Sequence, residues 1–126
     1  MERKVIHTDE APKAIGPYSQ GIDAGFVFCS GQIALDPHTG LLVHGGITAQ
    51  TKRVLDNLEA VLKAGGSRMD LAVRITVYLT DLQDFEAMNK VHAEHFPQDP
   101  PARAVVQVAA LPKGAAVEMD LIALKG

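Results

Sequence analysis

The chain has 126 residues, the size of one domain (1–126), with 47% apolar and 21% charged residues. That balance excludes a disordered chain, which needs low hydrophobicity and high net charge. Lys and Arg number 12 against 15 Asp and Glu, a net charge of −3 with no basic stripe of the kind nucleic-acid binders carry.

Met1-Glu2-Arg3-Lys4 is charged and no apolar segment follows it, so no signal peptide is expected. Arg3 to His7 reads as a short edge strand, and Ala11 to Pro17, with two prolines, as an ordered loop. Ser19 to Asp23 and Phe26 to Ser30 form two strand-like runs around Gly25. Asp36-Pro37-His38-Thr39-Gly40 is a turn. From Ile47 to Ala64 the period becomes helical, with Val54, Leu55, Leu58, Val61 and Leu62 on one stripe and Gly65-Gly66 as the stop. Val73 to Leu79 predicts a strand with Val73, Ile75, Val77 and Leu79 on one face. Asp81 to Phe96 predicts a second helix, capped by Asp81 or Asp84, with Phe85, Met88 and Val91 as its apolar stripe and Pro97 as its end. Two strands follow, Ala102 to Ala109 and Ala116 to Leu124, joined through Leu111-Pro112-Lys113-Gly114 as a closing hairpin.

The order βββαβαββ predicts an α+β domain, a mixed sheet with both helices on one face. The terminal strands are apolar at both parities, so the second face should be covered too, most economically by another subunit. The absence of Trp, with only two Tyr and four Phe, points the same way. A small domain with small core side chains has difficulty burying enough surface alone.

No apolar run approaches the ~20 residues of a membrane span. A single cysteine, Cys29, leaves no internal disulfide and no cysteine-built zinc site, which fits a reducing, cytoplasmic setting. Cys29 reads as a packed side chain rather than a reactive thiol. No phosphate-binding glycine loop and no hydrolase elbow occurs, and nothing identifies a base for Ser30. His92 and His95 stand three apart on a helix, but no third ligand is evident, so no metal is expected.

Arg103 stands at the mouth of an apolar strand and must find a partner there. An internal carboxylate would serve, and so would a ligand carboxylate or phosphate gripped by the planar fork. Glu118 interrupts the last strand. A hairpin of the two terminal strands allows either parity. In one, Glu118 lies opposite Val105 or Gln107, on the face of Arg103; in the other it points away. With matched faces the pair is either a structural salt bridge or a site where arginine holds an anion and glutamate handles a proton or water.

Several segments together resemble the RidA/YjgF family of reactive enamine/imine deaminases. They are Ala14-Ile15-Gly16-Pro17-Tyr18-Ser19-Gln20, Ser30-Gly31-Gln32-Ile33, Asp36-Pro37 to Gly40, Gln50-Thr51 to Asn57-Leu58, Thr76-Val77-Tyr78-Leu79 with Asp84-Phe85, Asn89, Pro101-Ala102-Arg103, and Gln107 to Gly114 with Val117-Glu118. The ordered set runs from about Ala11 to Ala123. The resemblance implies a chorismate-mutase-like fold assembled as a homotrimer, with sheets toward the threefold axis and sites between subunits. It implies hydrolysis of 2-aminoacrylate and 2-aminocrotonate, through the 2-imino acids, to 2-oxo acids and ammonia, without a cofactor. The implied partners are small 2-imino and 2-oxo carboxylic acids, while the chain's own charge and hydropathy argue against a membrane and against nucleic acid. By the same resemblance Arg103 binds the substrate carboxylate and Glu118 positions the hydrolytic water. Tyr18, Ser30 and Asn89 line the pocket, and Gly31 and Val105 offer backbone groups. A cation close to Glu118 would then favour its ionised form. A non-catalytic carboxylate binder and an RNA-cleaving protein are the other readings that some relatives bring.

Overall fold

Gly45 and Gly46 both adopt positive φ, at 114° and 73°, and turn the chain into its longest helix. This helix, α1 (Gly46–Ala64), buries Val54, Leu55, Leu58, Val61 and Leu62, the stripe its period predicts. It ends where the Gly65 amide bonds back to the Val61 and Leu62 carbonyls and Gly66 takes a φ of 78°. The computed structural model describes residues 2–126. Before α1 come β1 (Lys4–Ile6), β2 (Gly21–Asp23) and β3 (Phe26–Gln32); after it come β4 (Ala72–Leu79), α2 (Phe85–His95), β5 (Ala102–Gln107) and β6 (Val117–Leu124). No helix of these residues is long and apolar enough to cross a membrane.

The six strands form one mixed sheet in the order β1-β2-β3-β6-β4-β5. Sequence order would have paired β5 with β6 as a hairpin. Instead β4, α2 and β5 form a parallel crossover unit, and β6 enters between β3 and β4, antiparallel to both. The reason is burial. Val117, Met119, Leu121 and Ala123 are all buried, and a strand so apolar on one face belongs in the middle of the sheet.

The core lies between the helices and one sheet face. Ile75, Val77 and Leu79 of β4 stand beside Leu121, Met119 and Val117 of β6, and all six are buried under α1 and α2. Val73 departs from this face: a bulge between Ala72 and Arg74 shifts the register and leaves it exposed. The second helix also starts later than its sequence predicts. Asp81 does cap, accepting from the Gln83 amide, but it caps a 3-10 turn at Leu82–Asp84, and α2 begins at Phe85. Phe85 is exposed, and His92 joins Met88 and Val91 in the buried stripe.

Among the described residues Phe96 is the only Phe or Tyr buried in the core. Phe26, Phe28, Val106 and Leu124 lie on the other sheet face and remain 42–44% exposed. The register places them with Ile22 and Ile122, so within one chain this face is apolar and open.

Asn57 ties the helical layer to the segment after β3. It is fully buried, its Nδ2 donates to the Ile33 and Leu35 carbonyls at 3.3 and 3.0 Å, and its Oδ1 accepts from Arg53 Nε at 3.0 Å. Asn57→Leu should take its only side-chain donor from the Leu35 carbonyl, while the Ile33 carbonyl keeps the Leu35 amide. A loss of about 1–3 kcal/mol is expected in urea or thermal unfolding, and an unchanged midpoint would mean the segment is held elsewhere.

Candidate functional site

The predicted site residues divide into two groups on opposite sides of the sheet. Arg103 and Val105 pair with Ile75 and Val77 and therefore face the helices, whereas Glu118 pairs with Tyr78 and faces away. The mismatched parity is the one realised. Within a single chain Arg103 and Glu118 form no salt bridge and share no cavity.

The first group surrounds Glu118. Tyr18, Ser30, Gly31 and Glu118 line a hollow of about 350 Å³ with Ile15, Ile33 and Pro112. Its floor exists because the β3–β6 register slips between Cys29 and Gln32, which bends Ser30 and Gly31 out of the ladder. The missing side chain at Gly31 makes room for the Glu118 carboxylate, which a Cβ there would strike and push aside. The Ser30 amide donates to the Gln20 carbonyl and its hydroxyl to the Ser19 carbonyl. That hydroxyl has spent its proton and can only accept from a ligand. Tyr18 is the converse. Its hydroxyl accepts from the Ile15 amide at 3.2 Å, so its own proton is free to donate. Gln20, a residue the sequence does not single out, anchors this loop through Nε2 bonds to the Thr8, Ala11 and Pro12 carbonyls.

The second group surrounds Arg103. Its Nη1 donates to Asn89 Oδ1 at 2.7 Å, and its guanidinium carbon lies 5.6 Å from the centre of the Phe85 ring. Among the described residues no carboxylate ion-pairs with it. Arg103 and Asn89 line one hollow, with His92 and Pro101, and Val105 lines the neighbouring one with Phe85. Strand β5 is the outermost strand, so this group sits on a free edge.

The electrostatics follow from burial. Desolvation, then the Asp120 charge, push the Glu118 carboxyl above its ordinary value. Among the described residues no cation pairs with it, and the shift is opposite to the one a neighbouring arginine would cause. Asp120 itself accepts from the Tyr78 hydroxyl at 3.0 Å. The buried Cys29 thiol is pushed up to about 12, so it is packed and unreactive. His92 and His95 diverge: His92 is buried, while His95 bonds the Val91 carbonyl and points Nε2 at Asp56, 3.5 Å away.

A carboxyl whose folded value is raised holds its proton more tightly in the folded than in the unfolded chain. Folding stability is therefore lost as pH rises through and above the ordinary value of 4.5. Glu118→Gln should raise the thermal midpoint of the ligand-free protein at pH 7, with the gain fading as pH falls below 4.5. A midpoint lowered at neutral pH would show that the ionised carboxylate is stabilised instead.

Comparison with known proteins agrees with this geometry in fold and in sequence. The family model described as Endoribonuclease L-PSP matches residues 8–125. Protein DfrA of Myxococcus xanthus is 55% identical over 127 residues, covering 98% of this chain and 97% of that protein. The human 2-iminobutanoate/2-iminopropanoate deaminase is 44% identical over 125 residues, covering 98% and 91%. Among solved structures, RidA from an Antarctic Psychrobacter superposes with a TM-score of 0.93 at 43% identity, covering 96% of this chain and 98% of that one. E. coli TdcF with bound serine gives 0.92 at 39% identity, covering 98% and 99%. A whole-chain family match, relatives near half identical and superposition over the full sheet leave one conclusion: the chain belongs to the YjgF/RidA family, the family of the Endoribonuclease L-PSP model.

Proposed function

We propose that the protein hydrolyses 2-iminobutanoate and 2-iminopropanoate, the tautomers of 2-aminocrotonate and 2-aminoacrylate, in a cleft between two copies of the chain. The observation that carries the reading is the division of the site. A guanidinium without a counter-charge lies on one sheet face, and a desolvated carboxylate over Gly31 lies on the other. Each is half of a site for a small carboxylic acid, and one chain cannot join them. The deaminase names carried by mammalian relatives at 44–46% identity support the chemistry. TdcF with bound serine supports a small amino-acid-like ligand.

Joining two different surfaces makes a head-to-tail contact, which is closed by a ring. A chorismate-mutase-like homotrimer is such a ring. It buries the face carrying Phe26, Phe28, Val106 and Leu124 around the threefold axis, and sets the β5 edge of one copy against the Tyr18–Glu118 hollow of the next.

In that cleft Arg103 grips the substrate carboxylate and Asn89 holds the guanidinium in place. The imine carbon is thereby fixed near Glu118, an entropic gain. Glu118 takes a proton from water as the water oxygen bonds to the carbon of the protonated imine, whose C=N electron pair moves to nitrogen and gives a neutral carbinolamine. The Ser30 hydroxyl accepts from the nitrogen, and the Tyr18 hydroxyl donates to the new oxygen. The carbinolamine then collapses: Glu118 returns its proton to the amine, and the C–N bond breaks with its electron pair leaving on ammonia. The hydroxyl proton passes through Glu118 to that ammonia, and the 2-oxo acid and ammonium remain. The raised carboxyl of Glu118 suits a base, because its proton affinity is moved toward the working pH. Gly31 and the Val105 backbone border the ligand, and no cofactor is needed for so easy a hydrolysis. The cytoplasm, where pyridoxal-phosphate dehydratases release these enamines, is the fitting location.

The family model's description, endoribonuclease, supports a second reading, RNA cleavage. A net charge of −3 gives it little electrostatic help.

The first test couples the protein to a threonine dehydratase and follows 2-oxobutanoate release. Arg103→Ala should lower kcat/KM on the order of 100-fold. Binding of 2-oxobutanoate without acceleration would make the protein a sensor rather than an enzyme, and RNA cleavage lost in the same variant would favour the second reading. The shared site has its own test. Arg103→Ala and Glu118→Ala chains, each inactive, are unfolded together and reassembled. About one quarter of the parental activity should return, because random mixing leaves that share of interfaces with both groups intact. No recovery would place both groups in one chain's site.

A further inference from the structure

Three neutral residues on one face of α2 stand at Arg103, whose hollow is closed by Pro100 and Pro101. The α2 carboxylate Glu86 lines the adjoining hollow and forms no ion pair with Arg103. Phe85, Asn89 and His92 are spaced i, i+4 and i+7, so they follow one another along the helix surface. Phe85 offers its ring to the guanidinium and Asn89 its amide oxygen. His92 completes the row. It is 95% buried by its 5% exposure, lines the same hollow as Asn89 and Arg103, and stacks against Phe96 with ring centres 4.7 Å apart. Its Nε2 is buried with no hydrogen-bond partner. An unpaired buried ring nitrogen is a cost that an apolar residue would avoid.

We infer that His92 is a positioning residue for Arg103, filling with a neutral ring a place in the hollow they share from which a carboxylate would otherwise capture the guanidinium. The inference rests on the reading of Arg103 as the carboxylate clamp. Burial, and then the Arg103 charge itself, hold the imidazole down to about 4, so it stays neutral at any ordinary pH. A buried cation must find an anion. With Phe85, Asn89 and His92 beside its hollow, Arg103 finds none among the described residues, and its full charge is kept for a ligand.

Two acidic variants and one conservative variant test this. His92→Glu places a carboxylate in the hollow that residue 92 shares with the guanidinium. Asn89→Asp does the same isosterically at a less buried position, and covers the case in which the first variant fails to fold. His92→Gln remains neutral. Titration calorimetry with 2-oxobutanoate, crystal structures of the variants and deaminase kinetics are the readouts. The acidic variants should weaken 2-oxobutanoate binding on the order of tenfold, through KM rather than kcat, with Arg103 seen paired to the new acid. His92→Gln should keep the affinity within about threefold. Equal losses in His92→Gln and His92→Glu would overturn the inference, because His92 would then act only by filling space. So would acidic variants in which Arg103 stays unpaired and binding is unchanged. If the parent protein binds no 2-oxobutanoate while Arg103 still moves to the new acid, the neutral surround stands and the clamp reading fails.

Discussion

Strand β6 is hydrogen-bonded on both sides, to β3 and to β4, and its alternate residues serve two different environments. Val117, Met119, Leu121 and Ala123 fill the core under the helices. Glu118 and Asp120 are thereby forced to the other face. A strand has no third direction, so the demand for a packed core decides where the carboxylate goes. The same parity on β4, transmitted through the parallel ladder, turns Arg103 toward α2. Hydrophobic register thus places Arg103 and Glu118 on opposite faces of the sheet.

Separation has an energetic logic. Had the faces matched, Arg103 and Glu118 would have neutralised each other, as buried opposite charges do when geometry allows. Apart, each keeps an unsatisfied demand. Glu118 is half-buried among groups that raise its proton affinity, and Arg103 sits on neutral α2 side chains. Both conditions cost the folded chain something, and both are what a site needs if a ligand is to be the missing partner. The slip in the β3–β6 register and the missing Cβ of Gly31 belong to the same account, since together they open room for a carboxylate on an otherwise regular sheet.

Much of this is legible along the chain, and what is not has a common cause. Helix α1 follows from its 3.6-residue stripe and the Gly65-Gly66 stop, because both signals are local. The α+β class and the two helices on one face follow from element order. The strand pairing does not. Adjacent strands β5 and β6 look like a hairpin, yet β6 pairs far back in the chain with β3, and only the competition for the centre of the sheet decides it. Parity at Glu118 depends on that pairing, so it stays open until the partner is known. Val73 is misassigned for a related reason: a bulge resets the alternation, and no residue type announces it. The family resemblance carries Arg103, Asn89, Tyr18, Ser30, Gly31, Val105 and Glu118 as candidates. Phe85 and His92 lie outside that set, although their helical spacing from Asn89 marks the same face.

The aromatic residues are placed where the core does not use them. Phe96 alone is buried; Phe26 and Phe28 lie on the open sheet face, Phe85 beside Arg103, Tyr78 against Asp120, and Tyr18 at the rim of the Glu118 hollow. With no tryptophan present, emission excited beyond the phenylalanine absorption band comes from Tyr18 and Tyr78. One of these phenols borders the hollow, and the other shares a hydrogen bond with a carboxylate next to Glu118 on the apolar face. The molecule therefore carries its own optical reporter, a native signal that senses both the cleft and the sheet surface without any label.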